Sequence, residues 1–285
     1  MLRSATDADR NDVLALGVAE EIAWFGSPEN SAEEIGEWVD YEGGIASGVV
    51  DVDDAENIRA FAAPGERESI LMADPAHATE CIDNLLPWLR EHGTVQLMTF
   101  SADDHRVHTL ERHGLHHIRS SFSLARSISS DPLPQADWPE GVTVEPYRLG
   151  DDDEGVHSLI YVAAEWASVP GHNHRELDAW RETLGVGLRA FIARRGKSLT
   201  GWVAGRILDS GKGYVSGLAV ARSERGLGLG RALLLHSATD LLDAGAAGLA
   251  LDAVASNEAA LALYQSVGFA VDHEWRVYAD PADPD

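Results

Sequence analysis

Lysine is almost missing from this chain: of 285 residues only Lys197 and Lys212 carry it, and 47 aspartates and glutamates outweigh 22 lysines and arginines to give a formal net charge of −25. Nucleic acids and anionic membrane surfaces draw their affinity from basic residues that neutralise phosphate, so this balance excludes both as partners. Cysteine is as scarce. Cys81 alone cannot form an intramolecular disulfide and offers no thiolate cluster to zinc or iron–sulfur, which points to a reducing, cytoplasmic setting. No apolar run approaches the roughly 18 residues of a membrane-spanning helix. The first residues, Met1-Leu2-Arg3-Ser4-Ala5-Thr6-Asp7, turn polar at once, so no export signal is expected. Losing lysine while keeping arginine favours a halophilic surface over an ordinary acidic one. In a salt-rich interior hydrated carboxylates keep a protein soluble, and self-repulsion is screened within about 3 Å at 1 M salt.

The length suits two domains, with a boundary expected near the middle. Residues 127–141 hold three prolines and small polar residues with no periodic apolar face, which reads as a linker between a domain at 1–126 and another at 142–285. On either side the same order of signals recurs. The second half reads as a strand at 142–147, helices at 151–164 and 175–184, and a hairpin of 188–193 and 199–208 turning at Gly196-Lys197. A strand at 214–220 then leads into a glycine loop and a helix at 231–244; strand 249–254, helix 258–266 and strand 269–278 follow. The first half reads as strand 2–5, helix 7–23, strands near 45–52, 58–62 and 68–72, helix 76–90, strand 95–100, helix 104–112 and strand 115–124. Placing Gly268 on Gly114, an offset of 268 − 114 = 154, puts Asn257 on Asp103 and Tyr264 on Leu110. The expected architecture is α/β with a mixed sheet, duplicated in tandem.

The loop Arg225-Gly226-Leu227-Gly228-Leu229-Gly230-Arg231 sits between a strand and a helix. Such a junction suits a phosphate: the helix start offers unpaired N–H groups and a partial positive charge, and glycines let the backbone approach closely. No Gly-Lys-Ser/Thr follows, and the glycines miss the dinucleotide-binding register, so both nucleotide folds lose support. A plain connecting turn with solvated arginines would explain the loop taken alone. A second block, Asn257-Glu258-Ala259-Ala260-Leu261-Ala262-Leu263-Tyr264-Gln265-Ser266-Val267-Gly268-Phe269, argues against that reading. Together, Leu218 to Gly230 and Asn257 to Phe269 resemble the strand with Arg/Gln-x-x-Gly-x-Gly/Ala and the Asn…Ala…Tyr…Gly-Phe block of the GNAT superfamily of acyl-CoA N-acyltransferases. The tandem layout resembles that of the mycothiol synthases.

The resemblance implies acetyl-CoA as cosubstrate, its pyrophosphate held by the backbone of Arg225, Gly226, Leu227, Gly228, Leu229, Gly230 and Arg231. It implies pairing of the pantetheine amides with the strand edge at Leu218, Ala219 and Val220, and a Leu218 amide on the thioester carbonyl. Tyr264 matches the general acid, although a packed aromatic is the plainer role for a tyrosine there. Asn257 matches a contact to CoA and is also a sound N-cap. Relatives place a basic glutamate where Lys212 or Gly213 stands here. Glu165 is therefore taken as the base, with His172, His174 and Asp252 as alternatives. His172 and His174, at alternate spacing without further ligands, predict no metal site.

In the first half Ala73-Asp74-Pro75-Ala76-His77 replaces the glycine loop and Leu110 replaces the phenol, so that copy is expected to be degenerate. The reaction implied is acetyl transfer to a primary amine of a small molecule or peptide, by a monomer with an internal pseudo-dimer or by a homodimer. An acyl-CoA sensor without turnover is the rival of another class.

Overall fold

The computed structural model describes residues 1–65, 68–128, 132–164 and 174–281. The chain divides into two compact units, Met1–Ser120 with His273–Asp285, and Ser121–Asp272. No helix among the described residues is long and apolar enough to cross a membrane.

In the first unit β1 (Leu2–Ser4), β2 (Val49–Val52), β3 (Ile58–Ala63) and β4 (Ile70–Ala73) form an antiparallel sheet in that order. Alternate residues point to opposite faces of a strand, and here both faces are apolar. Val49, Ala60, Ala62 and Leu71 pack on α3 (Ala78–His92), whereas Val50, Phe61, Ile70 and Met72 pack on α1 (Arg10–Phe25) and α2 (Ala32–Tyr41). The sequence reading lacked α2. Its signal is a reciprocal cap: the Glu34 amide donates to Ser31 Oγ at 3.2 Å and the Ser31 amide to Glu34 Oε2 at 2.9 Å. The strand expected from Ile45 begins only at Val49, because Ile45–Ser47 is a 3-10 turn. β5 (Gln96–Phe100) and α4 (Asp104–Arg112) follow.

The second unit holds a six-stranded sheet. Its order is residues 121–127 of β6 (His116–Ser127), β11 (Gly248–Val254), β10 (Lys212–Val220), β9 (Ser198–Ile207), β8 (Arg189–Arg195) and β7 (Val142–Pro146), all antiparallel except β10 with β11. On one face α5 (Asp153–Ser158), a π turn at Leu159–Ala163 and α6 (Leu177–Glu182) cover Ile192, Trp202 and Ala219. On the other, α7 (Leu229–Asp243) and α8 (Glu258–Ser266) cover Val203, Val215 and Leu251. The helix expected over 151–164 thus ends as a π turn, closed by the Ala164 amide on the Leu159 carbonyl at 2.7 Å. Leu133, Ala136 and Trp138, from the proline-rich stretch, pack against this second core.

The last strand of each half lies in the unit built mainly by the other. Residues 275–279 of β12 (Ala270–Ala279) pair with β5, and 121–127 pair with β11. The offset of 154 relates the two registers. Leu97–Tyr278 becomes Leu251–Leu124 (97 + 154 = 251; 278 − 154 = 124), and the other pairs of β5 with β12 transform in the same way. The helix caps obey it too: Asp103 Oδ1 accepts the Arg106 amide at 2.9 Å, and Asn257 Oδ1 the Ala260 amide at 3.2 Å. Gly114 and Gly268, with φ of 86° and 89°, both lie beyond the helix end in the left-handed region.

Candidate active site

The site grows from a divergence of strands. β10 runs beside β11 only where Lys212, Gly213 and Tyr214 face Gly248, Leu249 and Ala250. A register shift follows Tyr214, after which Gly217 to Val220 stay paired with β9. From Val215 onward the β11 side of β10 carries no strand among the described residues, and Leu218, Ala219 and Val220 lie along that open edge. Unpaired strand edges accept extended ligands by adding hydrogen bonds.

At the end of β10 a 3-10 turn, Arg222–Glu224, leads into the glycine loop. Gly226 and Gly228 take φ of 76° and 87°, a region other residues enter at a cost of about 1–2 kcal/mol. Gly228 is the N-cap of α7, and the buried Leu229 side chain pins the helix start to the core. Gly230 is different: it needs no special φ, and an added Cβ would only touch Leu263 at 3.5 Å and Val220 at 3.6 Å. The amides of Gly226, Leu227, Gly228, Leu229, Gly230 and Arg231 have no acceptor among the described residues. Consecutive unpaired donors at a helix start form an anion cradle.

Two arrangements around the loop were invisible in the sequence. Glu224 would repel a phosphate, but Arg195 on β8 binds its carboxylate through both oxygens at 3.0 and 2.9 Å and holds it below the usual carboxyl range. Arg225 braces the loop, its Nη2 donating to the Ala164 carbonyl at 2.5 Å where the π turn ends. Arg231, half-buried, makes no ion pair among the described residues.

Tyr264 lies on α8 against the core, its ring edge-on to Phe269 at 6.4 Å, and burial pushes its phenol up to about 12. Asn257 spends Oδ1 on capping α8. Glu165 and His172 lie outside the described residues. His174 is exposed and stacks obliquely on Tyr161 at 4.7 Å. Asp252, on β11, accepts hydrogen bonds from the Tyr214 hydroxyl at 2.8 Å and from Ser123 Oγ at 2.5 Å. The sequence reading did not single out Tyr214; its signal was its place on the strand entering the loop, beside Lys212 and Gly213. No group of three or more metal-binding side chains occurs among the described residues.

Residues 154–269 match the model of the acetyltransferase (GNAT) family. This segment therefore resembles a GNAT domain. The chain is also similar to the mycothiol acetyltransferase of Saccharopolyspora erythraea, 27% identical over 249 residues covering 80% of each chain. It is 32% identical over 163 residues to that of Thermomonospora curvata, covering 55% of this chain and 53% of the relative. The chain thus spans about half the length of that second relative. Among solved structures, a GCN5-related N-acetyltransferase from Sphaerobacter thermophilus has a TM-score of 0.76 at 20% identity, covering 100% of this chain and 96% of that one. A tandem GNAT protein from the clavulanic acid biosynthesis pathway has a TM-score of 0.74 at 14% identity, covering both chains in full. The fold is therefore that of a tandem GNAT protein.

The first half closes the corresponding gap with its own side chains. β4 meets β5 through one parallel bridge, Ser69 with Leu97. Beyond it Arg106 donates to the Leu71 carbonyl and to Glu20, and the Glu20 carboxylate accepts the Ala73 amide at 2.9 Å. Arg106 and Glu20 are both buried, so the backbone groups of this edge are already satisfied. Where the second copy has its cradle, Asp74 Oδ1 accepts the Ala76 amide at 2.9 Å, which leaves an acid at the turn.

Proposed function

We propose that the second unit transfers an acetyl group from acetyl-CoA to a primary amine. The observation that carries this reading is the run of free amides from Gly226 to Arg231 at the start of α7, continuous with the open edge of β10. The cradle suits a diphosphate, and the edge at Val220, Ala219 and Leu218 suits the amides of pantetheine. On this reading the thioester lies at Leu218, whose N–H stabilises the negative oxygen of the tetrahedral intermediate. Tyr264 protonates the departing thiolate, and Asn257 supports the coenzyme side.

The acceptor is a small-molecule amine. An acceptor of the mycothiol-acetyltransferase kind is a second reading, favoured by the relatives, although the strand glutamate that the family resemblance implies has Lys212 or Gly213 as its nearest match here.

The test is a glycine substitution. In Gly228→Val the added Cβ meets nothing within 4 Å, but φ 87° strains a branched side chain, so circular dichroism first confirms that the variant is folded. The Kd for CoA by calorimetry is expected to rise about 10- to 100-fold, a loss of about 1.4–2.8 kcal/mol. Unchanged affinity in a folded variant would refute the cradle. Thiol release by the wild type is then followed with glucosamine, spermidine, kanamycin and an unblocked peptide, in dilute buffer and in molar KCl. Tight CoA binding with no release from any of them would mark a sensor instead of an enzyme.

A further inference from the structure

Glu165, the base expected from the sequence, lies outside the described residues, and among those described the second unit offers another group to take the proton that the acceptor ammonium must lose. Arg206, Tyr214, Asp252 and Ser123 form a polar row across β9, β10, β11 and β6. Tyr214 lies directly opposite Arg206, Asp252 is two residues beyond the partner of Tyr214, and Asp252 faces Ser123. The row crosses the sheet where β10 and β11 part. Along β10, the cradle lies beyond Val220 and the proposed thioester at Leu218, so an attacking amine approaches from the Tyr214 side. Four residues of strand span at most about 13 Å, and the register shift after Tyr214 shortens this.

On this reading of the site, we propose that Tyr214 contacts the acceptor amine and passes its proton to Asp252. The Tyr214 hydroxyl donates to Asp252 and keeps its lone pairs for an N–H of the incoming ammonium. Ser123 occupies the other carboxylate oxygen and fixes the orientation. As the ammonium gives a proton to the Tyr214 oxygen, the phenol proton moves to Asp252, and the freed lone pair forms the N–C bond. The C–S bond then breaks with its electron pair on sulfur. Tyr264 protonates that thiolate, and its phenolate takes the second proton from the amide nitrogen. One proton leaves through Asp252 to solvent. Burial first, and Asp252 second, hold the Tyr214 phenol well above its ordinary range, so it acts as a conduit and not as a resident anion. Arg206, facing the phenol across the strands, adds a positive charge that favours loss of the ammonium proton. Tyr264, a further titratable group that couples to Tyr214, adds negative charge only if it ionises.

Tyr214 is thus the catalytic residue and Asp252 the positioning residue behind it. The test compares Tyr214→Phe and Asp252→Asn on two nucleophiles, the amine acetylated fastest by the wild type at pH 7 and hydroxylamine, which is already unprotonated there. With the protonated amine kcat is expected to fall about 100-fold in each variant, and in Asp252→Asn to recover as rising pH deprotonates the amine itself. With hydroxylamine it should stay within about threefold, and the Kd for CoA should not move. A merely structural role would lower both nucleophiles together, and equal losses, or no loss, would overturn the relay while leaving the transferase reading intact. A wild type that binds CoA but acetylates neither nucleophile would overturn both.

Discussion

Replacing Tyr264 with phenylalanine is expected to lower kcat for acetyl transfer about 100-fold while the Kd for CoA changes less than about twofold. The substitution keeps the ring that packs against Phe269 and the second core, so the loss isolates the hydroxyl. A thiolate is a poor partner for the carbon it leaves unless a proton reaches it, and a phenol raised to about 12 by burial remains protonated throughout the neutral and mildly alkaline range. The sign of the pH dependence follows: the active form is the acid, its contribution persists as pH rises through 9 and 10, the ordinary phenol range, and disappears only near 12. A wild-type alkaline limb well below that value, absent from the phenylalanine variant, would contradict the assignment. A variant with full activity would leave Tyr264 as a packed aromatic and nothing more.

The second large effect belongs to the first copy. Arg106→Leu is expected to destabilise the folded chain by about 3–5 kcal/mol, because it strands the Glu20 carboxylate in a site that solvent does not reach. It also frees the Leu71 carbonyl of its donor. Replacing both partners, Glu20→Met with Arg106→Leu, should cost less than the single change, since no lone charge remains. Denaturant titration of the three proteins reads this directly. A single variant as stable as the wild type would mean that the gap between β4 and β5 tolerates water, and with it a ligand.

How much of this was legible in the residues depended on the range of the interaction. Helices 104–112 and 258–266 have the bounds expected, because Asp103 and Asn257 cap them locally and a left-handed glycine follows each. The glycine turn before α7 was legible for the same reason: Gly226 and Gly228 answer a backbone requirement that no other residue meets cheaply. Helix α2 was readable from Ser31 and Glu34, but the apolar stretch after it drew attention to a strand instead. Pairings across strands left no local trace. Nothing near Glu224 announces Arg195, and nothing near Tyr214 announces Asp252, 38 positions away. The exchange of terminal strands was hidden most thoroughly. Two repeats present equivalent faces in equivalent register, so the apolar pattern of residues 121–127 is the same whichever copy they complete.

That exchange explains why a copy without a cradle or a phenol is still present. The transferase half borrows the β-strand at 121–127 from its neighbour, and lends 275–279 in return. Severing the polypeptide within 132–141 would yield two fragments, each missing the segment that finishes its own sheet and each exposing a raw backbone edge. Deleting either half would therefore leave the other without a strand of its sheet, and the duplication, once made, could no longer be undone by trimming.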